Sequence, residues 1–84
     1  MEVLPRYKEL LSQYKYEKFP SIEPIEELYL TLLVEGNSVQ DVSRLTGTSV
    51  SMVRTRLNRL KLRANATSYI QLVIKYLICP HIVV

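Results

Sequence analysis

One cysteine, one histidine, no tryptophan and two glycines stand in this chain, and each scarcity removes a class of answer. Cys79 has no partner for an internal disulfide, and with His81 alone it cannot furnish a tetrahedral zinc site. A free cysteine of this kind suits a reducing compartment and predicts a cytoplasmic protein. Two glycines are too few for a glycine-rich phosphate loop. No nucleophile sits beside a base, and Cys79 and His81 merely flank a proline. The neighbouring acids Glu26 and Glu27 fall on different faces of a helix start, where they suit the dipole. The expectation is a protein that is not an enzyme, with no catalytic residue, no metal and no cofactor. Nor is there a long apolar run: residues 70–84 are interrupted by Gln71, Lys75, Pro80 and His81 and fall short of the ~20 apolar residues of a membrane span. Glu2, Arg6, Lys8 and Glu9 break up the start of the chain, so neither a signal peptide nor a membrane partner is expected.

The most telling absence is of acid. All 8 acidic residues, from Glu2 to Asp41, lie in the first half, and none follows Asp41. The second half carries Arg44, Arg54, Arg56, Arg59, Lys61, Arg63 and Lys75. Such segregation predicts a positive region on the fold, as polyanion-binding surfaces require. The bases of residues 54–63 have no acid three or four places away, so they repel one another unless an anion is present.

What is present reads as helices with short punctuation. Tyr7, Leu10, Leu11 and Tyr14 follow one apolar stripe, predicting a helix over residues 5–18 that ends before Pro20. A second helix is expected from Glu23 and Pro24, with Leu28, Leu30, Leu32 and Leu33 on its buried side and Gly36 as its stop. Ser38 is a candidate cap for a short helix through Val39, Val42 and Leu45, closed by Gly47. Ser49 caps a fourth, with Val53, Leu57 and Leu60 inward. Asn65 can take a left-handed stop, and Thr67 or Ser68 can cap a last helix to Ile78. The final Ile-Val-Val could be a short extended arm without an obvious partner strand. The tyrosines fall on helical stripes, which favours packing over stacking on bases. The expected fold is all-α: four helices and an additional N-terminal one. At 84 residues this is one thin-cored domain, of a size that often gains stability by dimerising.

Residues 38–63 have the shape of a helix-turn-helix: a short helix, a tight glycine turn and a longer basic helix. Ser43 supplies a small residue at the crossing, Gly47 the positive φ, and Val53 and Leu57 the apolar lock. Over residues 22–73 the chain resembles the DNA-binding domain of the bacterial LuxR/GerE-type transcriptional regulators. Ile22-Glu23-Pro24 stands where that family has a leucine, a hydroxyl residue and proline. Glu35-Gly36-Asn37-Ser38 matches its glutamate-glycine-x-serine, and Gly47 and Ser49 fall on its turn glycine and serine cap. Val53-Arg54-Thr55-Arg56-Leu57 matches its valine-lysine-threonine-histidine-leucine. The chain departs at Met52, where the family has threonine, and at Leu62, where it is basic. Asn65 and its flanking alanines, Ala64 and Ala66, stand where the family has leucine-glycine-valine.

The resemblance implies roles. Arg54, Thr55 and Asn58 fall where family members reach base edges, and arginine suits guanine as asparagine suits adenine. Ser49, Ser51, Arg56, Arg59 and Arg63 fall where they would hold phosphates, while Lys61 falls farther round the helix and could be solvated. The last helix is the family's usual dimer contact, here through Ile70, Val73, Ile74 and Leu77. The N-terminal stripe is the alternative cover for that helix. The expected division is residues 1–21 as helix and linker, 22–79 as the DNA-binding domain with a C-terminal dimerisation helix, and 80–84 as an apolar tail. The implied partners are double-stranded DNA and a second copy, in the cytoplasm on the nucleoid. A different class stays open, a regulator that pairs through the last helix with another transcription factor or with RNA polymerase. Residues 53–60 also suit the promoter-reading helix of a sigma factor.

Overall fold

In a computed structural model of the chain the described residues are 18–79 and Val83. The helix expected over residues 5–18, with its stripe of Tyr7, Leu10, Leu11 and Tyr14, lies outside them but for Lys18. Four helices follow: α1 (Pro24–Val34), α2 (Val39–Thr46), α3 (Val50–Arg63) and α4 (Tyr69–Ile78). No strand forms among the described residues. Val83 makes an isolated parallel bridge to Ile22, in the segment that leads into α1. Among the described residues no helix is long and apolar enough to cross a membrane.

Local chemistry places each helix end. Pro24 opens α1 at a position where its missing N–H costs nothing, and the Glu23 amide donates to Glu26 Oε1 at 2.9 Å. At the other end Gly36 takes φ +93°, while its amide and that of Asn37 return to the Leu33 and Leu32 carbonyls. These paired bonds satisfy carbonyls that the helix leaves open. Ser38 caps α2 by accepting from the Asp41 amide at 3.1 Å, and Asp41 accepts in turn from the Ser38 amide. Gly47 closes α2 at φ +68°. Ser49 caps α3 through the Met52 amide, and Ser68 caps α4 through that of Gln71. Asn65 adopts φ +57°, and the Ala66 amide reaches the Lys61 carbonyl at 2.8 Å. Asparagine thus performs the stop that glycine performs after α1.

α1 and α3 are the central pair, each packed against both other helices. Ile22, Tyr29, Leu30, Val42, Val53, Leu57, Leu60 and Leu72 are the fully buried side chains between them. Of the expected buried stripe of α1, Leu30 is buried, Leu32 and Leu33 are half-buried against the core, and Leu28 is exposed. Glu26, Tyr29 and Leu30, with Leu33 beside them, are the inward set; this is the i, i+3, i+4, i+7 spacing with an acid in its first place. Leu45 of α2 is likewise exposed, and Thr46 turns inward instead. Behind the glycine turn the Tyr29 hydroxyl meets Thr48 Oγ1 at 2.8 Å, and Thr48 meets Thr46 at the same distance. Ser43 donates its hydroxyl to the Thr48 carbonyl. This chain of hydroxyls ties the turn to the core of α1.

Lys75 is also inverted relative to its sequence appearance. It is buried, and its ammonium donates to the Ala64 and Asn65 carbonyls at 3.2 and 3.1 Å. A cation held on the carbonyls just past the end of α3 satisfies open acceptors and opposes the negative end of the helix dipole. Lys75→Met keeps much of the volume and removes these bonds. It is expected to cost about 1–3 kcal/mol, read as a lower urea midpoint at unchanged slope.

Candidate nucleic-acid interface

The sequence of α3 sorts its side chains around the axis. Val53, Leu57, Leu60 and, just past the end, Ala64 face the core. Their spacing of four, three and four keeps one stripe inward over the whole helix. With that stripe fixed, Arg54, Asn58 and Lys61 share one flank and Arg56 and Arg63 the other. Ser51, Thr55 and Leu62 lie opposite the core, with Arg59 beside them. Arg54, Thr55, Asn58 and Arg59 are all exposed, as are Ser49 and Ser51. The three residues expected to reach base edges are therefore brought to one outward surface, with Arg59 and Ser51 alongside. Ser49 is in part committed to its cap.

The two flanks differ in a way the charge pattern did not foretell. Arg56 donates to Glu23 Oε2 at 3.0 Å, and Arg63 to Glu26 Oε2 at 3.2 Å and to the Ser21 carbonyl. The expectation that no acid stands beside these bases holds along the helix and fails across the fold, because α1 lays its acidic first turn against α3. Arg56 and Arg63 already hold carboxylates, so a phosphate reaching either would share the guanidinium with one. Among the described residues Arg54 and Arg59 have no carboxylate within salt-bridge distance. Glu26 itself is 3% exposed. Its place in the apolar stripe of α1 was the available signal, since a buried acid calls for a base.

On the Arg54 flank Lys61 is not turned to solvent. Its ammonium lies 5.0 Å from the centre of the Tyr69 ring, and the Tyr69 hydroxyl donates to Asn58 Oδ1 at 3.0 Å. Leu62, where the resembled sequences are basic, is 81% exposed and takes no part in the core. On the opposite side of the molecule's last helix, Leu72 and Lys75 face inward while Ile70 is 75% and Leu77 61% exposed. Val73 and Ile74 are half-buried. Together with Leu33 and Tyr69, the residues Ile70, Val73 and Ile74 line a shallow apolar groove of about 220 Å³. Comparison with family models, curated proteins and solved structures finds no match to this chain.

The two interhelical ion pairs should differ in worth. Glu23 is 62% exposed at its side chain and Glu26 4%. Water already serves an exposed carboxylate, whereas a buried one depends on its partners. Glu23→Gln is expected to change stability by less than about 0.5 kcal/mol. Glu26→Gln turns an amide toward Arg63 and is expected to cost about 1–3 kcal/mol. Urea titrations of the two variants side by side check the order.

Proposed function

We propose that this protein is a sequence-specific double-stranded DNA-binding regulator of transcription, of the LuxR/GerE type, acting as a homodimer on two half-sites. One observation carries the reading. α3 is a fourteen-residue helix locked inward by Val53, Leu57 and Leu60, and its outer face holds Arg54, Thr55, Asn58 and Arg59 without an acidic neighbour on that side. An α-helix fits the major groove of B-DNA, where arginine reads guanine and asparagine reads adenine. Arg54, Thr55 and Asn58 take the base edges, and Arg59, Ser49 and Ser51 the phosphates. Arg56 and Arg63 join them only in competition with the carboxylates of Glu23 and Glu26. The order of α2, glycine turn and α3 supports docking as a helix-turn-helix, with the second helix entering the groove. The row of Ile70, Val73, Ile74 and Leu77, exposed at its two ends and half-buried between them, supplies the surface for a second copy. Half-sites about 34–36 Å apart then follow from two-fold symmetry.

A reading of a different class draws on the same α4 surface, pairing with another transcription factor or with RNA polymerase through apolar contact, with DNA secondary. Salt separates the two. Binding through several phosphates weakens with a log–log slope near about −0.9 per phosphate neutralised, and apolar pairing does not. Arg54→Ala is expected to weaken binding to the preferred site by about 1–3 kcal/mol and to relax one base position. A variant that bound preferred and random DNA as the unsubstituted protein does would remove Arg54 from the interface. For the dimer, Ile70→Glu is expected to leave the helical content unchanged and to shift sedimentation from two copies to one. Equal sedimentation of both proteins would take α4 out of the assembly.

A further inference from the structure

We propose that Tyr69, the first residue of α4, is a specificity-determining positioning residue: its phenol fixes the side-chain amide of Asn58 in the orientation that reads adenine. This rests on the reading of α3 given above. An asparagine amide has two unlike ends, and its terminal torsion is broad and close to two-fold. Free on a helix surface, it presents an acceptor or a donor in the same place with little preference. Adenine offers N7 as acceptor and its N6 amino group as donor in a fixed order. Only one of the two amide orientations matches that order in a given docking.

The Tyr69 hydroxyl donates to Asn58 Oδ1 at 3.0 Å. This occupies one of the two lone pairs of the oxygen and leaves the other, with both amide hydrogens, for a base. Reading capacity is kept, and the flip is biased, because a phenol donates to an amide oxygen more strongly than it accepts from an amide N–H. The ring that carries the hydroxyl is itself held twice. It is the first residue of a helix capped by Ser68, whose Oγ accepts from the Gln71 amide at 3.1 Å. The Lys61 ammonium, three residues beyond Asn58 on the same flank of α3, lies 5.0 Å from its centre. A cation over the ring is attracted to its face, which helps to hold the phenol in place. The bond spans an exposed surface, where it contributes little to folding because water competes for both groups. Its consequence is preorganisation: the amide is ordered before DNA arrives, and the cost of ordering it does not fall on binding.

Tyr69→Phe keeps the ring, its packing and its contact with Lys61, and removes the hydroxyl alone. In the free full chain, the Asn58 side-chain amide resonances, identified by their loss in Asn58→Ala, are expected to move in Tyr69→Phe. Selection of bound sequences from a random duplex pool then compares the unsubstituted protein with both variants. Asn58→Ala is expected to lose an adenine preference at one position. Tyr69→Phe is expected to weaken the preference at that same position by about two- to tenfold, with the other positions, the salt slope and the melting midpoint unchanged. A full preference in Tyr69→Phe beside a lost one in Asn58→Ala overturns the role of Tyr69 and leaves the DNA reading standing. So does a Tyr69→Phe protein that melts earlier and weakens at every position alike. An Asn58→Ala protein with intact preference also overturns it. Should the unsubstituted protein select no sequence at all, the DNA reading falls and the role of Tyr69 with it.

Discussion

The rotational setting of α3 governs everything this molecule presents to its surroundings. Val53, Leu57 and Leu60 are wholly withdrawn from water, and a helix pinned at three points over two turns cannot roll. Each such side chain contributes roughly 1.5–3 kcal/mol by burial, whereas a surface arginine contributes little to the fold. Burial therefore decides which way the arginines point, and their own interactions only refine it. Rolling α3 by one residue, about 100°, would bring Arg54 into the core stripe and expose Val53, at a desolvation cost no surface contact offsets.

That setting has a second consequence, for charge. The bases of α3 were segregated from acid along the chain but not in space, because α1 and α3 pack side by side. One flank of α3 is neutralised by Glu23 and Glu26, and the other retains Arg54, with Arg59 on the outward face. The positive field is thereby narrowed from a whole helix to a strip. A strip has a direction: it favours one approach of a polyanion over others, while a uniformly basic helix would not. The acids that narrow it also cap and anchor α1, so the same carboxylates fix a helix start and shape the surface of its neighbour.

Punctuation was the most legible part of the sequence. Pro24, Gly36, Ser38, Gly47, Ser49, Asn65 and Ser68 each act where the pattern put them, because capping and positive φ are decided within a few residues of chain. The inward stripe of α3 was legible for the same reason, as apolar spacing of three and four is local. What escaped were the positions whose partners lie far along the chain. Glu26 looked like a dipole residue, Lys75 like a break in an apolar helix, and Lys61 like a solvated base. Each is held by a contact more than seven places away: Arg63, the carbonyls of Ala64 and Asn65, and the ring of Tyr69. Leu28 and Leu45 failed in the opposite sense, since one apolar residue on a helix can look inward in sequence while its neighbours take the core.

Three of the misread residues share a location. Glu26, Lys61 and Lys75 gather with Ala64, Asn65 and Tyr69 about the C-terminal half of α3, where α1 and α4 both approach it. Ala64, Asn65 and Ala66 are small residues, and beside them the fold sets a lysine on open carbonyls, an ion pair and a tyrosine that reaches α3. Apolar packing is tolerant of direction, but hydrogen bonds are not. Directed bonds at this corner fix the end of α3 by geometry, and α4 comes close enough for its first side chain to touch the outward face.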